Sequence, residues 1–424
     1  MVRLGPIELQ PGVSRLNATT FLIAAFMSIG IITFTSAMQP YLLTENLRIP
    51  ASEQGAATGL LVFVFEATVM LFVVLYGALA DKIGRRPIFA LGFLWVSVAI
   101  VMFPLAETLT QLALCRMFFA VGSAAVTGML ATVLADYPQE RSRGLMVAAG
   151  GICNGLGAMV FVLVMTRLPE VFAGMGYSTL ASGQFTYWVA AGLCVLSALI
   201  VGSGLVAGTP GQPQARETLR RLLREGAAAA RANPRIALAY AESFVARGDL
   251  MLIATFFALW SKQAGLEQGL SLEEASSKVG LFIAIISGAS LIWAPIWGQM
   301  LDRLERVTAV AIAMALAGCA YIVAGFSPNP IAMTFIPVAV MLGIGEFSGI
   351  LAGATLIGQE APASIRGSVL GLFNLCGSLG VICISLIAGY VFDHWMPGAP
   401  FVIVGCANLI ILGLALWVRR LPRT

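Results

Sequence analysis

Residues 77–87 read "GALADKIGRRP". Around two glycines, Gly77 and Gly84, stand one acid, Asp81, and three bases, Lys82, Arg85 and Arg86. On either side the chain is apolar, over 55–78 and 87–105. A helix needs about 20 apolar residues to cross a bilayer. The interval therefore reads as a tight turn between two membrane helices, held at one face of the bilayer by its bases.

The rest of the 424-residue chain has the same texture. It is 59% hydrophobic and only 11% charged, with a mean hydropathy of +0.90. A water-soluble chain of this length carries far more polar surface. Twelve apolar runs are legible: 18–40, 55–78, 87–105, 109–134, 144–168, 184–207, 236–262, 276–299, 307–326, 330–357, 368–391 and 398–418. Barrel strands would alternate with a period of two over about ten residues. These runs are longer and uniformly apolar, so the expected fold is an all-α integral membrane protein of twelve transmembrane helices. One long polar stretch, 208–235, "GTPGQPQARETLRRLLREGAAAARANPR", divides them six and six. It opens with glycine and proline and continues as a basic helical piece. The expected organisation is an N-terminal six-helix bundle, 1–207, a basic central linker, 208–235, and a C-terminal six-helix bundle, 236–424.

Charge sets the orientation. Nineteen of the 25 lysines and arginines, from Arg3 and Arg15 through Arg216 to Arg423, fall on the side of the N-terminus. Four fall opposite, Arg48, Arg167, Lys262 and Lys278, while Arg116 and Arg247 lie inside runs. The positive-inside rule makes the N-terminal side cytoplasmic, with both termini inside an inner (plasma) membrane. Residues 1–17 are polar and mixed, and the first run is long enough to span and stay, so no separate signal peptide is expected. The seven cysteines all lie in apolar runs and form no CxxC pair, which reads as helix packing. With His394 the sole histidine, no metal site is expected.

The two halves echo each other. "GQMLDRLERV" follows the eighth run with Gly298, Asp302, Arg303 and Arg306, repeating the Gly-to-Asp spacing of Gly77 and Asp81. "DYPQERSRG", with Asp136, Pro138, Arg143 and Gly144, is echoed by "EAPASIRG", with Glu360, Pro362, Arg366 and Gly367. Two six-helix halves related by a parallel repeat are a transporter architecture.

On these residues the chain resembles the major facilitator superfamily. "GALADKIGRR" matches that family's G-x-x-x-D-[RK]-x-G-[RK]-[RK] signature at every defined position. The second copy lacks the second glycine, where Glu305 stands. "CRMFFAVGSAA" resembles the family's R-x-x-x-G-x-G pattern, with Ala120 at the first glycine. The resemblance spans about residues 18–418 and implies two pseudo-symmetric bundles that rock about a central site. It also implies that Asp81 meets the start of the eleventh helix, near Ser368, when the cytoplasmic side is closed. The clusters at Asp81 and Asp302 would then bias an equilibrium between two shapes.

Ionisable groups inside the runs mark the expected coupling and substrate site. Glu66 lies in "FVFEATVMLF", where its helical face-mates are apolar. A charge at that depth costs on the order of 3 kcal/mol, and a carboxyl able to hold or lose a proton there suits proton coupling. The seventh run holds Arg247 and Asp249, which point in different directions. Glu242 shares the face of Asp249 but lies nearer the cytoplasm and reads equally as interfacial. The tenth run holds Glu346 on a face with Gly343, Gly349 and Gly353, and the fourth holds Arg116. Among the deep groups three acids, Glu66, Asp249 and Glu346, face two bases, Arg116 and Arg247, so one proton would neutralise the set; a fixed buried ion network is the alternative. Asn154, in the glycine-rich "GGICNGLGAMVF", Asn374 and Trp293 are candidate cavity residues, and Gln39 reads as interfacial. No Gly-Pro pair occurs in the fifth run, which departs from many drug–proton antiporters.

The expectation is secondary active transport of a small organic solute, driven by protons and leaning to export. Proton-coupled uptake of an organic anion is the alternative. There is no GxxxxGK[ST] phosphate loop, so ATP-driven pumping by this chain alone is not expected. A membrane enzyme would need paired catalytic groups at an interface, and a sensor an added soluble domain. Neither is expected, nor is a cofactor or a nucleic-acid partner. The working unit is expected to be a monomer in the lipid bilayer.

Overall fold

The computed structural model describes residues 2–208 and 219–422. Among these residues, twelve helices are long and apolar enough to cross a membrane. They are α1 (Arg15–Asn46), α2 (Ala51–Ile83), α3 (Arg85–Leu105), α4 (Leu109–Asp136), α5 (Glu140–Gly174), α6 (Thr179–Gly204), α7 (Pro234–Glu267), α8 (Leu272–Arg303), α9 (Arg306–Gly325), α10 (Met333–Glu360), α11 (Ala363–His394) and α12 (Ala399–Arg419). In lipid each backbone N–H and C=O needs a partner within its own segment, and the helix provides one. Each expected run falls on one of these helices, although 184–207, 307–326, 330–357 and 398–418 overrun theirs by one to three residues. Several helices run on past the apolar window, α5 to Gly174 and α7 to Glu267, because a helix ends where its capping changes and not where hydropathy falls. Polar caps mark the starts. Ser14 and Asn17 form a reciprocal capping box before α1, Thr108 caps α4, Ser178 caps α6 and Asn233 caps α7.

The chain forms two compact units. The first comprises Met1–Pro50, Val64–Gln214 and Gly265–Ala284. Inside it α1 packs on α5, where a methyl at Gly157 would overlap the carbonyl of Phe26. The α3 side chain Ser97 donates to Ala191 O of α6 (2.9 Å). The second unit comprises Ala51–Phe63, Ala215–Ala264 and Ile285–Thr424. Here α9 packs on α12 and α7 lies against α10, α11 and α12. The first residues of α2 belong to this unit and are held there. Asp393 of α11 accepts from the backbone N–H groups of Gly55 (2.8 Å) and Ala56 (2.7 Å), and Lys262 Nζ donates to Gln54 Oε1 (2.8 Å).

Two elements lie outside the runs. A hairpin pairs β1 (Arg3–Leu4) with β2 (Ile7–Glu8). It docks on the α4–α5 turn, where Gln139 N donates to Glu8 O (2.9 Å) and Gln10 N to Tyr137 O (2.9 Å). Glu8 pairs there with Arg141 and with Arg3. In the linker, residues 209–218, Arg216 among them, lie outside the described residues, as does Arg423. The rest forms a helix, Leu219–Ala232. Its Leu222 and Gly226 rest on Gly371 and Leu372 of α11. Glu225 accepts from Ser368 Oγ (2.7 Å) and from Arg221 Nε (2.8 Å). Those bonds, Arg221 first, hold its carboxyl below the ordinary glutamate range.

Candidate functional site

The signature turn is built around Arg85, which is buried although it is a cation. Its guanidinium pairs with Asp81 (3.3 Å) and with Asp136 (3.0 Å), and donates to Ala80 O (3.3 Å). One side chain thus joins the turn after α2 to the end of α4. Gly84 permits this geometry, because its φ of +95° is a left-handed conformation that L side chains avoid. Lys82 is exposed and Arg86 half-buried.

The repeated turn in the second unit keeps part of this plan. Arg306 donates to Leu301 O, as Arg85 does to Ala80 O, and its Nε reaches Gln359 Oε1 (3.2 Å). Glu305, in the place of the second glycine, has φ −64° and caps α9 by accepting from Thr308 N (2.8 Å). The turn therefore needs no glycine there. Glu305 also pairs with Arg235 (2.9 Å), which reaches Glu360 at 3.5 Å, and Asn233 Nδ2 donates to Glu360 (2.8 Å). Burial pushes the Glu305 carboxyl up, but the bonds from Thr308, Val307 and Arg235 outweigh it and leave it below the ordinary range. Asp302, Arg303, Arg143 and Arg366 are exposed, with Arg143 pairing Glu140 (2.8 Å). A methyl at Gly298 would meet open space.

The deep charges fall into separate sets. In the first unit Arg116 is buried between Phe103 and Phe119, with ring centroids at 5.4 and 5.9 Å. Its Nε donates to Gln39 Oε1 (3.1 Å), its Nη2 to the same oxygen, and Nη2 also to Thr35 O (3.4 Å). Gln39, read as interfacial, is thus a buried partner of Arg116, a pairing that only the α1–α4 contact reveals. Glu66 is half-buried, three residues past the point where α2 enters this unit. Asn154 is half-buried, and its Oδ1 lacks a hydrogen-bond partner among the described residues.

In the second unit α7 sends Arg247 and Asp249 opposite ways. Arg247 Nη2 donates to Asn374 Oδ1 of α11 (2.6 Å). Asp249 is fully buried, and Asn408 Nδ2 of α12 spans its two oxygens at 3.0 and 3.2 Å. Tyr321 of α9 donates to the Asp249 carbonyl (2.8 Å). Glu346 lies within electrostatic reach of Asp249 and Tyr321. A π-helical turn, Ile253–Phe257, follows Asp249 by one helical turn. Trp293 donates to Ser348 Oγ (2.8 Å) and lines an apolar pocket of about 350 Å³ with Ile344 and Val340. Glu242 is only 1% exposed. Asn408 and Tyr321 give no signal in the sequence, because single polar groups in apolar runs carry no spacing pattern.

The family model of the Major Facilitator Superfamily matches residues 20–379 and, a second time, 243–424. The chain belongs to this superfamily of membrane transporters and is a multi-pass membrane protein. It is 26% identical to the magnetosome protein MamH of Paramagnetospirillum magneticum, over 95% of this chain and 92% of that one. MamZ of Magnetospirillum gryphiswaldense is also 26% identical, over 94% of this chain, which spans 62% of MamZ. The staphyloferrin B transporter of Staphylococcus aureus is 20% identical over 92% of this chain and 90% of its own. Among solved structures, the nucleoside transporter NupG superposes with a TM-score of 0.73 at 14% identity, covering 96% of this chain and 99% of NupG. A bacterial Spinster homologue gives 0.66 at 16% identity, covering 96% of each chain.

Proposed function

We propose that this chain is a proton-coupled secondary transporter that exports a small organic solute by alternating access. The observation that carries the coupling is Asp249, a fully buried carboxyl whose side-chain partner is an amide and not a cation. An amide suits either protonation state, because its N–H₂ donates to a carboxylate and its carbonyl, after a flip, accepts from a carboxylic acid. Glu346 lies in reach of it, and Glu66 supplies a carboxyl in the other unit. A gradient of one pH unit supplies about 1.4 kcal/mol per proton, and 100 mV adds about 2.3 kcal/mol per charge. Either concentrates a solute severalfold.

The repeat halves are 1–207 and 236–424 around the linker 208–235, and the second family match, 243–424, which falls within the C-terminal half, supports this. The basic side chains support placing both termini in the cytoplasm. Arg247, paired with exposed Asn374, favours uptake of an organic anion as the second reading. The staphyloferrin B transporter and the nucleoside transporter are named for chemically unrelated cargo, so these names do not narrow the substrate.

Everted membrane vesicles with an acidic interior, reporting through a pH-quenched dye, test the proposal. Amphipathic cations, organic acids and sugars are added in turn. Proton release on adding one solute, lost in Asp249→Asn and Glu66→Gln, is expected. Wild-type protein that is folded yet releases no protons with any solute overturns the export reading.

A further inference from the structure

We infer that Glu242 is a second proton-binding site, separate from Asp249, which holds its proton in a notch of α10. The inference rests on the proton-coupled reading. Glu242 is 1% exposed, and neither carboxyl oxygen has a hydrogen-bond partner among the described residues. The carboxyl lies in a notch of α10 made by missing side chains. A methyl at Gly353 would overlap Oε2, and one at Gly349 would lie 3.9 Å from Oε1.

The charges around it are few. Arg247 and Asp249, both on α7, are the groups that act on it electrostatically. Arg247 is engaged by Asn374 of α11, and Asp249 by Asn408 of α12. From α10 the notch offers glycine, with Glu346 within reach of Asp249. From α11, Phe373 O accepts from Ser243 (3.0 Å) and Cys376 lies beside Tyr240. From α9, Tyr321 serves the Asp249 carbonyl, and in the linker helix Gly226 O accepts from Tyr240 (3.3 Å). Among the described residues no donor is thus supplied to Glu242, and an ionised carboxylate sealed without one costs far more than the neutral acid. An apolar side chain would fill the notch without that penalty. A carboxyl retained inside a membrane bundle points to function, and the function open to an acid with no partner is to take up and release a proton.

Infrared spectroscopy of the full chain in lipid nanodiscs tests this. The wild-type minus Glu242→Gln difference is expected to show the carbonyl band of a protonated carboxyl at neutral pH. That band is expected to fade reversibly as pH rises while helicity by circular dichroism holds. Gly353→Ala, which pushes the carboxyl out of its notch, is expected to shift the midpoint, and it serves if the first variant does not fold. No difference band, or a band unchanged until the protein unfolds, overturns the inference. In transport, losing one coupled proton lowers accumulation about tenfold at a gradient of one pH unit, with solute exchange retained; undiminished accumulation in Glu242→Gln also overturns it. Wild-type protein that moves no protons sinks the proton-coupled reading itself, and the infrared titration still judges Glu242.

Discussion

Asn408→Leu removes the amide that spans Asp249 while keeping a side chain of similar volume. The buried carboxyl then loses its N–H donor, which costs about 1–3 kcal/mol. Part of that returns, because Asn408 Oδ1 is itself buried without a partner among the described residues, and deleting an orphaned amide oxygen regains about 1 kcal/mol. The single variant is expected to be destabilised by about 1–2 kcal/mol. Asp249→Leu alone leaves the Asn408 amide with Val404 O as its acceptor (3.1 Å) and is expected to cost about the same. The double variant replaces both partners by apolar groups. It is expected to be more stable than either single one, with a coupling energy of about 1–3 kcal/mol. Reversible unfolding in mixed detergent micelles, followed by helical circular dichroism, measures all four corners of the cycle. Strict additivity, with coupling below about 0.5 kcal/mol, would refute the claim that the two side chains act as a hydrogen-bonded pair.

Two further outcomes concern the turns. Arg85→Ala leaves Asp81 and Asp136 without their shared cation and is expected to cost about 2 kcal/mol, discounted because Asp81 is about a third exposed. Arg85→Lys is expected to recover less than half of it, since one ammonium cannot reproduce a fork that meets two carboxylates and the Ala80 carbonyl; thermal unfolding reads both. Glu305 has a folded-state pKa below the ordinary value of 4.5. Its contribution is therefore complete above that value and lost as pH falls through the folded value. The difference in Tm between wild type and Glu305→Gln is expected to shrink between about pH 6 and pH 3, and a difference independent of pH would contradict the assignment.

The sequence by itself determined that the chain crosses the membrane twelve times, because uniformly apolar runs of that length have helices as their one stable form in lipid. It also determined the family and the repeat, since "GALADKIGRRP" and "GQMLDRLERV" carry spacing that survives divergence. The opposed directions of Arg247 and Asp249 were legible too, from two-residue spacing on a helix. Partners were not. That Gln39 belongs to Arg116, Asn408 to Asp249 and Arg235 to Glu305 follows from which helix faces meet, and these pairs lie far apart in the chain. The same holds for Glu242. A glutamate near a helix end reads as interfacial until the glycine notch of α10 is seen to receive it. Buried polar groups are decided pairwise across helices, and apolar periodicity, which sets the helices, does not encode which pairs will form.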